Sequence, residues 1–452
     1  MKMKKILALV MALNLSSVMV TGCGGDTDKD QSKGGNTTGG EKQTLKVAAL
    51  ESAYGADVWK EVVKAFEEEK GNVTVDLTID KSLETVISAK MKAGEYPDFV
   101  HLATGRPDAL TETLIKDNGL LAIDDVFDMT VPGESKTVSE KLIPGFRDSS
   151  IIKPYSDGKT YMAPMFYSPA GLFYNAGLLK EKGWEVPTTW DQMWELGDKA
   201  KAEGIALFTY PTSGYFDAFS WALLANIGGP DFLKKVTSYE EGIWDTAEGA
   251  KYLEIMGKLA EYTEKNTVAN ANNTNYLKNQ QLILDNKAIF MPNGTWVIGE
   301  MEEAPKAEGF EWATASIPRV NESDEQYITT FFEQCWIPAA SENQDLAKEF
   351  MAFMYSDKAA QIFANYGAVQ PIQGASAMIP DSRGEKSLYA IYDTPVNAIT
   401  DGGFATTDAV EGVSIADSWF SAYDSVVSGS KTVEEWKAGI VEASDKLRPA
   451  LK

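Results

Sequence analysis

Histidine and cysteine are almost missing from this chain: one histidine and two cysteines in 452 residues. A single imidazole, His101, excludes most metal sites and nucleophile arrangements that need two or three of them. Placed at the end of a strand-like run, it is expected to be structural. Of the cysteines, Cys23 closes the N-terminal leader, which leaves Cys335, in the apolar stretch 331–338, without an intrachain partner. The expectation is a buried thiol in a fold that needs no disulfide. Phosphate-cradling glycine loops are also lacking, because Gly24-Gly25 and Gly39-Gly40 lie in linker sequence and Gly402-Gly403 in a turn. Beyond the leader no run of about 18 uncharged apolar residues occurs, so no membrane-spanning helix is expected. Basic residues are too few to balance the acids. The formal charge of −24 falls to −27 once the three leader lysines are removed, which repels nucleic acid and anionic lipid. No metal and no cofactor is expected.

What is present begins with an export signal. Lys2, Lys4 and Lys5 precede an apolar run from Ile6 to Val20, and Val20-Thr21-Gly22-Cys23 ends it with small residues before a cysteine. Residues 1–22 read as a lipoprotein signal peptide and Cys23 as the acylated residue of the mature chain. Stable anchoring needs more than one acyl chain, which a multiply acylated lipoprotein cysteine supplies. The expected location is the cell membrane, lipid-anchored on its extracellular face. Residues 23–44, rich in Gly, Thr and charge without an apolar face, form a flexible tether with an average reach of roughly 25 Å.

About 410 residues remain, more than one core normally organises, so two lobes are expected. An apolar content of 44% and 11 tryptophans support well-filled cores. Residues 45–50 read as a strand, 57–69 as an amphipathic helix, 73–79 as a strand of period two, 83–94 as a second helix and 97–102 as a third strand. That alternation predicts a parallel α/β sheet with its ligand edge after the strands, at 50–55 and 103–106. Further on, 161–174 reads as strands interrupted by Pro164 and Pro169, and Thr189 with Gln192 as a capping box that opens a helix to 202. A strand at 205–208, helices at 218–226, 247–264 and 275–285, and a strand at 288–291 follow.

Three clusters place aromatic rings beside loop-forming residues: Tyr210 to Phe216, Pro292-Asn293-Gly294-Thr295-Trp296, and Asp417-Ser418-Trp419-Phe420. Flat rings on loops can stack on sugar C–H faces while neighbouring amides and carboxylates bind hydroxyls.

In order and spacing the chain resembles the carbohydrate-binding lipoproteins of ATP-binding-cassette importers, the extracellular solute-binding family 1 that includes maltose-binding protein. The resemblance runs from about Thr44 to the C-terminus. It is carried by Val47 to Tyr54, Gly94-Glu95-Tyr96-Pro97-Asp98, Asp157 to Pro164, Leu172-Phe173-Tyr174-Asn175, Pro187-Thr188-Thr189-Trp190-Asp191, Asn286 to Trp296 and Leu346 to Met351. It implies a two-lobed periplasmic-binding-protein-like α/β fold with a hinged cleft. Residues 45–166 with 325–370 would form the N-terminal lobe, and 167–324 with 371–452 the C-terminal lobe. Crossings would fall near 165–167, 318–330 and 370–374. The family's ligand-binding positions carry over to Tyr54, Arg106, Tyr167, Tyr215, Trp296 and Trp419. One departure stands out: where maltose-binding protein has a carboxylate just after the first crossing, this chain has Ser168.

The resemblance implies a non-enzymatic, monomeric receptor that passes a mono- or oligosaccharide to membrane permease subunits. Segment 108–128 and the Gly183 to Pro187 junction are similar to relatives that take up N-acetylglucosamine or chitobiose; cellobiose-like and other β-linked sugars stay open. Two other classes share the leader, the acidity and the aromatics: a surface-anchored glycoside hydrolase or lyase, and a glycan adhesin.

Overall fold

From Val47 onward strand β1 (Gln43–Leu50) is apolar and buried on both faces, as a strand in the middle of a covered parallel sheet must be. In the computed structural model, which describes residues 42–452 apart from Ala53 and Pro107, β1 lies parallel to β2 (Val73–Asp80) on one side and to β3 (Phe99–His101) on the other. The connecting helices are α1 (Asp57–Lys70) and α2 (Leu83–Lys92). Helix α1 buries Val58, Trp59, Val62, Val63, Ala65 and Phe66, a stripe set by the 3.6-residue period, and stops at Gly71 in the left-handed conformation (φ 72°). The parallel α/β opening expected from the alternation is therefore present. Asp98 explains the Pro97-Asp98 pair: buried, it accepts from Lys46 N (2.8 Å), Ser341 Oγ (2.7 Å) and Asn343 Nδ2 (3.1 Å), tying β1 to a distant loop.

Strands β4 (Met162–Asn175), β5 (Ala206–Phe208), β6 (Ala288–Asn293), β7 (Trp312–Ala315), β8 (Gln326–Trp336) and β9 (Val396–Ile399) complete a nine-stranded sheet among the described residues, with the path β2-β1-β3-β8-β4-β6-β5. β7 adds to β4 and β9 to β8. The long strands β4 and β8 pair antiparallel in the middle of that path. At one end they contribute Met162, Ala163, Cys335 and Trp336 to a first hydrophobic core; at the other, Leu172, Tyr174 and Tyr327 enter a second. The first core also takes Phe173, on the opposite face of β4 from Leu172, together with Leu388 and Tyr389.

Expectation and structure part at β4. Pro164 and Pro169 do not break it into separate strands: the register with β8 shifts between Pro164 and Tyr167, and Tyr167 N donates to Val369 O (3.0 Å) instead of to β8. The bulge absorbs the missing proline donor. The helix Trp190–Ala202 does start at Thr189, whose hydroxyl accepts from Gln192 N, but the Gln192 side chain reaches back one residue further, to Thr188 N (2.9 Å). The helix expected at 218–226 extends over Phe216–Thr237, kinked at Gly228-Gly229 before Pro230. Cys335 is fully buried and free, and burial raises its thiol pKa. No helix among the described residues is long and apolar enough to cross a membrane. The leader, Cys23 and most of the tether lie outside the described residues.

Candidate functional site

The loop after β6 builds one wall. Asn293 Oδ1 accepts from Gly294 N (2.8 Å), and Thr295 is held by Ser168, Oγ to Oγ1 at 2.6 Å, with Thr295 N donating to Ser168 Oγ at 3.3 Å. Ser168 thus ties the loop to β4. The Trp296 ring then folds back over Gly294 so closely that a Cβ there would lie 2.1 Å from ring carbon Cη2. Glycine at 294 is what lets the indole lie flat against its own backbone, with 39% of the residue exposed.

The facing wall follows β5, which runs parallel to β6 and so delivers its loop to the same edge. Tyr215 ends a short 3-10 turn (Ser213–Tyr215), and its hydroxyl accepts from Trp296 Nε1 (3.2 Å), with ring centroids 6.4 Å apart. Phe331 of β8, 47% exposed, completes a trio, 6.0 Å from Trp296. Beneath the rings lies a cavity of about 230 Å³ with a mainly apolar lining, including Ala170, Ala218, Phe219 and Ile317; Asp217 and Asn293 add polar groups. That is below the ~300–1,000 Å³ usual for a whole ligand, so it suits one part of a longer one. Asp217, in the first turn of its helix, accepts from Ala218 N, and burial raises its pKa.

Across β8 the surroundings turn polar. Glu333 approaches His101, Nε2 to Oε2 at 2.9 Å. Burial, then the negative potential of Glu333 and the neighbouring Tyr389, raise the phenol pKa of Tyr54. Tyr389 in turn lies beside Thr295, next to Trp296. His101 is fully buried against Trp59 (5.0 Å) and Phe166 (5.2 Å).

Of the six positions carried over from sequence, Tyr215 and Trp296 line the cavity together. Tyr54 stands after β1, partly buried, with its ring edge-on to Phe166 (5.2 Å). Arg106 stands after β3 with Nε 3.0 Å from the buried Glu84 carboxylate. Neither of these two lines the cavity, nor do the last two positions, both of which are buried. Tyr167 is buried among Phe146, Tyr389 and Tyr392. Trp419 is 1% exposed in the second core, its Nε1 donating to Tyr252 Oη (2.9 Å). Sequence reasoning missed Phe331, Asp217 and Glu333. Phe331 and Phe332 are adjacent identical residues, and only the strand pleat separates the exposed one from the buried one.

Residues 61–381 match the family of bacterial extracellular solute-binding proteins. The chain is 23% identical over 334 residues to the diacetylchitobiose binding protein NgcE of Streptomyces coelicolor, covering 71% of this chain and 68% of that protein. It is 21% identical over 370 residues to the multiple sugar-binding protein of Streptococcus mutans, covering 80% and 81%. Its fold is similar to that of the bacterial solute receptor AcbH, described as having an exclusive preference for β-D-galactopyranose: TM-score 0.65 at 17% identity, over 90% of this chain and 98% of that one. The two cores joined by β4 and β8 are the two-lobed α/β fold of such receptors. With some seven-tenths of its length matched, this chain belongs to the bacterial extracellular solute-binding protein family.

Proposed function

We propose that this protein captures a neutral mono- or oligosaccharide in the cleft between its lobes and delivers it to the membrane permease of an ATP-binding-cassette importer. The observation that carries this reading is the open aromatic trio of Trp296, Tyr215 and Phe331 above an apolar cavity that contains the Asp217 carboxylate. Aromatic faces stack on the C–H faces of sugar rings, and a carboxylate beside them accepts from hydroxyls. A diacetylated chitobiose is the first ligand to test, since a relative is named for it. Residues 45–166 with 325–370 form one lobe in this reading, 167–324 with 371–452 the other, and β4 with β8 the hinge. Tyr54 and Arg106 face the ligand from the first lobe. Tyr167 and Trp419 support the site from behind their surfaces. Ligand shifts the lobes from open to closed, and the closed form is the one the permease engages. Cys23, acylated, holds the monomeric receptor on the extracellular face of the membrane through the tether.

The test is a thermal-shift and calorimetric screen of the soluble chain against N,N′-diacetylchitobiose, cellobiose, maltose, raffinose and D-galactose. At least one should raise the melting temperature and bind with one-to-one stoichiometry. A flat response to all of them, with retained fold, would count against the receptor reading.

A further inference from the structure

Resting on the sugar-receptor reading, we infer that Glu333 is the carboxylate that orients the ligand on the polar side of the cleft, and that His101 is its positioning residue. Residues two apart on a strand share a face, about 6.6–6.8 Å from one another. Phe332 and Gln334 point one way: Phe332 packs on Phe146 (5.5 Å), and Gln334 accepts from Thr104 N (2.9 Å) to hold the loop after β3. Phe331 and Glu333 point the other way, Phe331 over the cavity with Trp296 and Glu333 one pleat further towards Tyr54. A sugar ring stacked in the aromatic trio therefore has Glu333 about one ring's length away along the strand, where a second ring or a substituent of the first would fall.

The carboxylate is prepared for that role. His101 Nε2 lies 2.9 Å from one of its oxygens without the alignment of a hydrogen bond, and no described hydrogen bond engages the other. His101 cannot swing away: it is fully buried, wedged by Trp59 and Phe166 behind the cleft floor. One carboxylate oxygen thus packs against the edge of the imidazole from behind while the group stays about one-third exposed in front. A rigid acceptor beside an open aromatic platform selects among hydroxyl arrangements, which stacking alone does not, because preorganised acceptors lose less freedom on binding. The single histidine of the chain serves binding through Glu333 without touching ligand.

The experiment is calorimetry on the full folded region, first wild type with the five sugars named above, then Glu333→Gln, His101→Leu, His101→Gln and the double variant Glu333→Gln/His101→Leu with the sugar that binds. Glu333→Gln should weaken binding at least tenfold. His101→Leu should weaken it comparably, His101→Gln, which keeps an N–H for the carboxylate, should recover part of the loss, and the double variant should bind no more weakly than Glu333→Gln alone. Wild-type binding with Glu333→Gln within twofold of it would overturn this inference and leave the receptor reading standing. No sugar binding by wild type would overturn both. Should His101→Leu fail to fold, the Glu333→Gln and His101→Gln results decide the matter, the former being a partly exposed position. A double variant that loses a further tenfold would assign His101 a packing role only.

Discussion

Trp296 and Trp419 follow similar local sequences, Asn-Gly-Thr-Trp and Ala-Asp-Ser-Trp, yet one is the most exposed of the cleft aromatics after Phe331 and the other is sealed in a core. Trp296 sits past the end of β6, on the edge where the β5 and β6 loops meet, and Gly294 leaves room for its ring to lie open. Trp419 lies in a π-helical turn (Asp417–Ser421), edge-on to Trp244 (4.9 Å) and Trp221 (5.8 Å), and its carbonyl accepts from Trp436 Nε1 (2.7 Å). That turn packs against the turn carrying Tyr215. The buried tryptophan therefore supports the turn carrying Tyr215 from below, and the exposed one is, in the proposed function, the ring that meets ligand. What separates them is which sheet edge or core each is carried to, a property that no window of ten residues contains.

Truncating the two rings gives the sharpest way to break this comparison. Trp419→Ala should cost about 3–5 kcal/mol of folding stability in chemical denaturation, because it empties a packed core and strands the Tyr252 hydroxyl contact. A stability loss below about 1 kcal/mol would mean the ring is not packed as described. Trp296→Ala should do the reverse: ligand affinity falls by about 30-fold, near 2 kcal/mol, while the unliganded melting temperature stays put. Unchanged calorimetric affinity would remove Trp296 from the site. Gly294→Ala tests the loop rather than the ring. The added methyl collides with the indole, so affinity should drop by about tenfold, around 1.4 kcal/mol, with little change in stability; wild-type binding would show that the ring shifts without consequence.

The smallest effect concerns Asp217. Burial raises its folded-state pKa above 3.8, so the folded form holds its proton more tightly than the unfolded chain does. The stability this contributes is fully present below pH 3.8 and is lost as pH rises through the folded pKa. At neutral pH the buried charge is therefore a cost. Asp217→Asn should raise neutral-pH stability of the unliganded protein by less than about 1 kcal/mol while weakening sugar binding, a trade common at binding sites. Equal stability of the two proteins from pH 4 to 7 would show that the carboxylate is already compensated.

Much of the first lobe was legible because its periods are clean. Val73 to Ile79 alternates, the apolar residues of 57–69 recur at helical spacing, and Gly71 terminates the helix that they define. Both prolines of β4 argued for breaks, and the argument failed because a bulge and a bond to Val369 O took over where β8 could not accept. The candidate site was half legible. The strand-end rule pointed to the loops that carry Tyr54 and Arg106, and the family resemblance to Tyr215 and Trp296, which line the cavity. Phe331 and Glu333 could not be placed that way, since they lie within a strand, and their exposure depends on register and on which lobe faces them.

By itself the sequence determined the kind of fold: enough apolar residues for two cores, and an opening strand-helix alternation that pairs as a parallel sheet. Those are properties of composition and short-range period. Only the tertiary structure decided which rings reach the cleft and which oxygens stay open to it. The pairing of β8 with β3 and β4 brings Glu333 to His101 and Phe331 to Trp296, across more than 200 positions in the first case and 35 in the second. Contacts so distant along the chain are set by strand register, and one step of register would turn both side chains to the opposite face.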